Sequence, residues 1–267
     1  MRRGPRVREL VQRGFISMVF QPIVDLNSGR ISGFEALLRG PAGTPLSRPG
    51  RVFGDKSPLS RSVLRELDEA CFSAALRSGR LLAERGLLFI NLRLDTILHL
   101  PETWPGFEAL LRSSGVPQAA LVVEISERGT VSEPEAAFAA IRGLRAKGVK
   151  FALDDFGSAY SGLQHLLWFK PDYIKLDRFL VDGLHSCAER RCIVAHSARL
   201  AEELGARVVA EGVEEQRDLL ALMELGIPYA QGYHLGRPSA ASFWCDDLEL
   251  PQNCSGWFRE AEAAAAR

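Results

Sequence analysis

The sequence alternates short apolar segments with amphipathic segments along most of its length. Eight apolar segments have the length of β-strands, and they are MVFQPIV (18–24), ISGFEALL (31–38), GLLFINL (86–92), ALVVEIS (120–126), VKFALD (149–154), YIKL (173–176), ARVVA (206–210) and IPYAQGY (227–233). Four segments with apolar residues at i, i+3 and i+4 spacing are predicted helices, and they are residues 62–79, 134–148, 190–206 and 213–226. This alternation predicts parallel strands joined by crossover helices.

The number of strands limits the fold further. Eight strands in 267 residues favour a closed TIM-type (β/α)8 barrel, an α/β fold, over an open doubly wound sheet. No GxGxxG or GxxxxGK(S/T) motif follows the first predicted strand, which excludes the usual nucleotide-binding sheets. Residues 40–57 are rich in Gly, Pro and Ser and are predicted to form a long surface loop. We expect one domain over residues 15–267, preceded by a linker stub over residues 1–14.

The composition is that of an ordinary globular domain without a charge imbalance. Lys plus Arg and Asp plus Glu number 33 each, so nothing indicates a nucleic-acid polymer or an acidic membrane as partner. No window approaches the roughly 20 apolar residues of a membrane span, and the basic N-terminus lacks the apolar core of a signal peptide. The five cysteines form no CxxC pair and are predicted to be reduced. We expect a cytoplasmic protein.

Polar residues occur where the predicted strands end, and catalytic residues of barrels lie at those ends. Five strands end in acids or amides, which are Glu35, Asn91, Glu124, the pair Asp154 and Asp155, and Glu211. Other polar residues near strand ends are Arg39, Glu127, Lys175, Asp177, Glu214 and Gln231. Any one of them is more often a helix cap or a solvated side chain. Together they predict an oxygen-rich site for Mg²⁺ or Mn²⁺, and no histidine lies at these ends to suggest zinc.

The adjacent carboxylates of Asp154 and Asp155 are the most informative part of this set. Two neighbouring carboxylates at the end of a buried strand repel each other and are costly to keep ionised. Our hypothesis is that Asp154 bridges two cations while Asp155 binds one of them. Two cations about 3.5–4 Å apart clamp the attacking and leaving oxygens of an in-line phosphoryl displacement.

These residues lie in motifs that resemble those of the EAL-domain family, the phosphodiesterases of the bacterial second messenger cyclic di-GMP. The motifs, in chain order, are FQPI (20–23), EALLR (35–39), INL (90–92), EISE (124–127), DDFGSAYSGL (154–163), DYIKLD (172–177), VAEGVE (209–214) and QGYHLGRP (231–238). The resemblance implies a TIM-type barrel with an antiparallel first strand and a site for two Mg²⁺ or Mn²⁺ ions. It also implies hydrolysis of cyclic di-GMP to linear pGpG by a metal-activated water.

The same resemblance assigns ligand and catalytic roles. The positions that match the ligands of one ion are Glu35, Asn91, Glu124 and Asp154. Those that match the ligands of the other are Asp154, Asp155 and Glu211. Lys175 matches the lysine that orients or helps activate the attacking water, and Glu211 is the alternative base. Glu127 matches the glutamate that steadies the loop after the paired aspartates.

The resemblance also assigns substrate-side positions and partners. The positions are Gln21, Arg39, Asp177, Glu214 and Gln231, with Arg39 expected on a substrate phosphate and Gln21 on a guanine. The substrate partner is cyclic di-GMP. A homodimer and a fused or separate sensory or cyclase domain are left open.

The loop after the paired aspartates departs from the family pattern DDFGTGYSSL. Ser158, Ala159 and Gly162 replace Thr, Gly and Ser. If the position of Ala159 requires a positive φ, alanine strains it by roughly 1 kcal/mol. The alternative to an active phosphodiesterase is therefore a catalytically weak or inactive receptor that binds cyclic di-GMP.

Overall fold

The computed structural model describes residues 7–47, 49–53, 57, 59–126, 134–158 and 162–246, and within them eight strands close into one barrel. The strands, in barrel order, are β1 (Ser17–Asp25), β2 (Arg30–Arg39), β3 (Leu87–Asn91), β4 (Leu121–Ser126), β5 (Lys150–Phe156), β6 (Tyr173–Leu176), β7 (Arg207–Ala210) and β8 (Tyr229–Ala230). The helices are α1 (Val7–Gln12), α2 (Pro49–Phe53), α3 (Arg61–Ala83), α4 (Leu94–Ser114), α5 (Pro134–Arg145), α6 (Gly162–Phe169), α7 (Arg178–Val181), α8 (Ala188–Glu203), α9 (Gln216–Glu224) and α10 (Ala241–Asp246). The predicted TIM-type α/β barrel is confirmed.

Strand β1 is antiparallel to both of its neighbours, β2 and β8, whereas the strands from β2 to β8 pair in parallel. Its connection to β2 is a turn of only four residues. A connection this short can join antiparallel strands but not parallel ones, which need a long crossover. The side chain of Asp25 stabilises the turn by accepting hydrogen bonds from the backbone N–H groups of Asn27 and Ser28. The antiparallel first strand is therefore confirmed.

The barrel interior is arranged in layers along the strands. One layer is apolar and consists of Ile23, Phe89, Val122, Ala152, Tyr173 and Val209. Side chains of a strand alternate between its faces, so the residues two positions further along point into the barrel as well. Those residues are Asn91, Glu124, Asp154 and Lys175 on β3 to β6, and Glu211 directly after β7. The predicted polar site is thus a layer that lies directly on an apolar floor.

Helix α4 was absent from the helices expected from the sequence. It runs from Leu94 to Ser114 and contains Pro101 and Pro105, which interrupt the apolar pattern by which helices are recognised. Its first turn is held by Asp68 of α3, whose carboxylate accepts hydrogen bonds from the backbone N–H of Arg93 and from the hydroxyl of Thr96.

The segment expected as a long surface loop, residues 40–57, is partly folded against the barrel. It contains a 3₁₀ turn at Pro45–Ser47 and helix α2, and both Leu46 and Val52 are buried. The prediction of a surface loop is wrong for these residues, because their apolar side chains complete a small core outside β2.

Helix α1 lies within the segment that the sequence analysis set apart as a linker stub. Leu10 is buried in the core outside β2, and Arg8 forms an ion pair with Glu66 of α3. Residues 7–12 therefore pack on the barrel. In the described part of the chain, no helix combines the length and the apolar character needed to cross a bilayer.

Candidate metal centre at the barrel mouth

The ammonium group of Lys175 lies at the centre of the polar layer, surrounded by four carboxylates. Its Nζ is 2.6 Å from Glu211 Oε1, 2.7 Å from Glu124 Oε1, 3.3 Å from Asp154 Oδ1 and 3.4 Å from Glu35 Oε2. Lys175 and Glu124 have no exposed surface, whereas the side chains of Asp154 and Glu211 are 14% and 19% exposed. The site is therefore deepest at the lysine and opens on the side of β5 and β7.

Amide side chains connect these carboxylates. Asn91 Nδ2 donates to Glu35 Oε1 at 3.0 Å and to Glu124 Oε2 at 2.8 Å. On the other side, Gln231 Nε2 donates to Glu35 Oε2 at 2.6 Å and to Gln21 Oε1 at 3.0 Å. Glu35 is thus held between two amides, which fixes the orientation of its carboxylate. Rotation of the Asn91 amide by half a turn presents its oxygen to the same point, as a metal ligand requires.

A local irregularity of β5 brings both adjacent aspartates to the site. Asp155 has a positive φ of 61°, and the pairing of β5 with β6 shifts register between Leu153 and Phe156. In a regular strand the two side chains would point to opposite faces. Here carboxylate oxygens of Asp154, Asp155 and Glu211 lie within 4.8 Å of one another. The sequence analysis expected both aspartates at one site but not this backbone conformation of Asp155.

Burial and charge shift the pKa values of the cluster in different directions. Burial raises the pKa of Glu124 and of Glu211 well above the usual range, and it also raises that of Asp154. Burial acts in the same sense on Glu35, but the charge of Lys175 and the two amide hydrogen bonds outweigh it and lower its pKa. Burial would lower the pKa of Lys175, yet the surrounding carboxylates hold it well above its ordinary value. The site is consequently short of positive charge.

The remaining predicted residues are spread around the mouth. Arg39 is exposed at the end of β2 and donates to the carbonyl of Leu38 at 2.8 Å. Asp177 caps α7 by accepting from the backbone N–H of Phe179, and Glu214 accepts from Arg178 in an ion pair of 2.6 Å. Gln231 and Gln21 belong to the buried amide network described above. Glu127 and Ala159 lie outside the described residues.

Two contacts of the site were missed in the sequence analysis. Ser126 Oγ donates to Asp155 Oδ2 at 3.1 Å, and Arg178 holds Glu214. Ser126 is the last residue of the predicted strand 120–126, and Arg178 lies two residues beyond the predicted strand 173–176. This position at a strand end is the signal that could have identified them. The contacts tie β4 to the loop after β5, and the loop after β6 to the loop after β7.

The residues fit a divalent cation by their donor chemistry and by their geometry. Their donors are carboxylate oxygens and one amide, which hard cations prefer. Within the described residues, Lys175 Nζ, Glu124 Oε1 and Asp154 Oδ1 are buried without a hydrogen-bond partner of suitable angle, although they lie at contact distance. A spherical cation imposes no such angles and would satisfy these oxygens.

The fold and the site define a TIM-type barrel with a carboxylate-rich centre at the carboxyl ends of its strands. The EAL domain family matches residues 5–238, and the chain belongs to this family.

Relatives of known name agree with this assignment. The cyclic di-GMP phosphodiesterase RocR of Pseudomonas aeruginosa is 31% identical over 253 residues, which are 91% of this chain and 63% of RocR. The probable cyclic di-GMP phosphodiesterase PdeN of Escherichia coli is 30% identical over 241 residues, 89% of this chain and 46% of PdeN. The chain thus spans less than two thirds of the length of these curated relatives.

Solved structures of Klebsiella pneumoniae BlrP1 have the same fold. Its calcium and cyclic di-GMP complex matches with a TM-score of 0.75 and 30% identity, over 90% of this chain and 59% of BlrP1. Its manganese and cyclic di-GMP complex matches with a TM-score of 0.75 and 31% identity, over 85% of this chain and 57% of BlrP1.

Proposed function

We propose that the chain hydrolyses cyclic di-GMP to linear pGpG with two divalent cations, Mg²⁺ or Mn²⁺. The observation that carries this proposal is the convergence of four carboxylates, from three strands and the loop after β7, on one buried cationic atom, Lys175 Nζ. A structural barrel without a ligand gives no reason to bury so many acids together, because ionised carboxylates are costly in a protein interior. The names of RocR and PdeN support cyclic di-GMP as the substrate.

The formal charge of the site supports two cations rather than one. The five carboxylates and one ammonium carry a net charge of −4 when all are ionised, and they are Glu35, Glu124, Asp154, Asp155, Glu211 and Lys175. Two divalent cations neutralise that charge, whereas one leaves the buried site with a charge of −2. We assign Glu35, Asn91, Glu124 and Asp154 to one ion. We assign Asp154, Asp155 and Glu211 to the other.

The protein residues hold the reactants and move the proton in this proposal. When bound, the cations supply Lewis-acid stabilisation of the phosphate and lower the pKa of the attacking water. Glu211 Oε1 accepts the proton that the water loses, and Lys175 orients the water beside it. Arg39 binds a substrate phosphate through its guanidinium fork, and Gln21 contacts a guanine. Glu127 is expected to steady the loop that carries Asp155.

A turnover assay tests the proposal directly. We expect the purified chain to convert cyclic di-GMP to pGpG with Mg²⁺ or Mn²⁺ and to stop when EDTA is added, as read by nucleotide chromatography. Glu35→Gln should abolish turnover without unfolding the barrel, and the exposed acid Glu84 provides the matched control, Glu84→Gln. Tight binding of cyclic di-GMP without turnover would replace the proposal with the receptor function. Full activity of Glu35→Gln would remove Glu35 from the site.

The remaining predictions concern the setting of the enzyme. We propose that the folded unit includes α1, because Leu10 is buried against the barrel, and that the protein acts in the cytoplasm. Homodimer formation and a sensory or cyclase partner domain stay predictions, and size measurement in solution will test the first of them.

A further inference from the structure

We infer that Lys175 is the resident cation of the site, which holds the metal ligands together and competes with divalent cations for their oxygens. This inference rests on the metal centre proposed above and goes beyond it. It assigns Lys175 a role in setting metal affinity, separate from any role in orienting water.

The position of Lys175 places its ammonium group in the protein interior, among the carboxylates. The residue is fully buried on β6, and its flanking residues Ile174 and Leu176 are buried on the opposite face of the strand. Long charged side chains normally extend their charged ends to solvent. Lys175 instead ends among the carboxylates, so the protein interior itself supplies the cation that those carboxylates need.

The contacts of Lys175 coincide with the ligands assigned to the two ions. Three of its carboxylate neighbours, Glu35, Glu124 and Asp154, belong to the first ion, and Asp154 and Glu211 belong to the second. A divalent cation that binds these oxygens must therefore take over contacts that the ammonium now makes.

The geometry of the contacts favours this exchange. The ammonium is tetrahedral and donates along three directions, whereas four carboxylate oxygens lie 2.6 to 3.4 Å from its nitrogen. The ammonium therefore cannot direct a hydrogen bond to all four oxygens at once. A divalent cation brings twice the charge and no angular demand, so it displaces the ammonium from the shared oxygens.

The exchange has an energetic consequence for metal affinity. In the metal-free protein the ammonium offsets part of the repulsion between the carboxylates, and in the loaded protein it lies close to two like charges. Both effects oppose metal binding. Removal of the charge at position 175 should therefore strengthen metal binding, although it also removes a residue that the reaction needs.

Calorimetric titration with Mn²⁺ in the absence of substrate tests the inference. We expect Lys175→Met to bind Mn²⁺ at least tenfold more tightly than the wild-type chain, and to show a larger rise in melting temperature on Mn²⁺ addition. The matched control is Lys150→Met, because Lys150 lies at the opposite end of β5 and donates to the carbonyl of Ala119. That variant should bind Mn²⁺ as the wild type does. Equal or weaker binding by Lys175→Met would overturn the inference.

A measurement on the wild-type chain covers the case in which Lys175→Met does not fold. Lysine ammonium groups that are buried and slow to exchange are visible in proton–nitrogen correlation spectra, and Lys175→Arg identifies the signal by its loss. We expect the Lys175 signal to shift strongly as Mg²⁺ saturates the site. An unchanged signal at saturation would overturn the inference.

The two proposals fail in different ways. If the wild-type chain hydrolyses cyclic di-GMP but its Lys175 ammonium signal does not respond to Mg²⁺, the lysine inference falls while the proposed function stands. If the wild-type chain neither binds Mn²⁺ nor hydrolyses cyclic di-GMP, the proposed function falls and takes the lysine inference with it.

Discussion

At the residue scale, the site depends on one backbone conformation that the motif itself does not reveal. Asp154 and Asp155 were expected to bind metal because they are adjacent acids at a strand end. Adjacent side chains of a regular strand cannot both face the barrel, and only the left-handed conformation of Asp155 resolves this. Such a conformation is uncommon for residues other than glycine and is tolerated best by Asn and Asp.

The backbone of Asp155 can be separated from its charge by two substitutions. Asp155→Asn and Asp155→Ala both remove the carboxylate. Loss of a residue that only supports a metal ligand typically lowers metal affinity or activity by about 10- to 100-fold. We therefore expect both variants to lower metal-dependent turnover by more than about 100-fold. Only alanine disfavours the positive φ, which should cost about 1–2 kcal/mol of additional stability. Urea unfolding in EDTA measures the difference, and equal stabilities of the two variants would show that the backbone at Asp155 carries no strain.

Asp68 is a buried acid whose effect on folding stability depends on pH. Burial raises its pKa to about 6, against the hydrogen bonds from Thr96 and Arg93. Because the folded state holds this proton more tightly than the unfolded state does, folding stability from this group falls as pH rises from about 4 to about 6 and then stays low.

Asp68→Asn should remove this dependence while keeping the cap of α4, since both hydrogen bonds reach the same oxygen, Oδ2. We expect the stability of the variant relative to wild type to increase by about 2 kcal/mol between pH 4.5 and pH 7.5. Chemical denaturation at the two pH values provides the measurement. A difference that does not change with pH would contradict the raised pKa.

At the element scale, the strands were predictable and several connections were not. The strands carry continuous apolar runs because both of their faces are covered, and their ends carry the polar residues that mark the mouth. Helix α4 was missed because its two prolines mask its periodicity. Residues 40–57 were assigned to solvent from their Gly, Pro and Ser content, although Leu46 and Val52 anchor them to the core. Local composition does not encode such long-range contacts.

The loops after β7 and β8 are in direct backbone contact near the site. A Cβ atom on Gly232 would lie 2.0 Å from the carbonyl oxygen of Val213, and the backbone N–H of Val213 donates to the carbonyl of Gln231. Glycine at position 232 is therefore required for the close approach that fixes Gln231 beside Glu35.

Gly232→Ala should force these loops apart. Overpacking against backbone typically costs about 1–3 kcal/mol, so we expect a clear loss of melting temperature together with weaker metal binding. A Cβ atom on Gly106 of α4 would meet no atom within 4 Å, so Gly106→Ala should be neutral or stabilising and provides the control. Thermal unfolding of both variants decides the point, and a neutral Gly232→Ala would show that the loops can separate freely.

At the scale of the whole molecule, a chain with balanced charge concentrates acids at one point of its fold. The equal numbers of acidic and basic residues do not indicate this cluster of acids, whereas the position of each acid at the end of its strand does. The short four-residue turn that reverses β1 completes the arrangement, because it sets Gln21 opposite Glu35 in register. Strand ends were thus sufficient to predict which acids meet at the barrel mouth, whereas the contacts that Lys175 makes with them depend on closure of the barrel.

The apolar layer beneath the polar layer also determines the side from which ions and nucleotide reach the site. In the described part of the chain, the buried side chains of Phe89, Tyr173 and their neighbours fill the barrel below the acids. We therefore expect ions, nucleotide and water to reach the site through the mouth. Under the proposed function, cyclic di-GMP bound at the mouth would block ions that arrive after it. In stopped-flow experiments, hydrolysis should begin after a lag when Mn²⁺ is added after the nucleotide, and without a lag when Mn²⁺ is added first. Identical time courses would mean that ions reach the site by a second route.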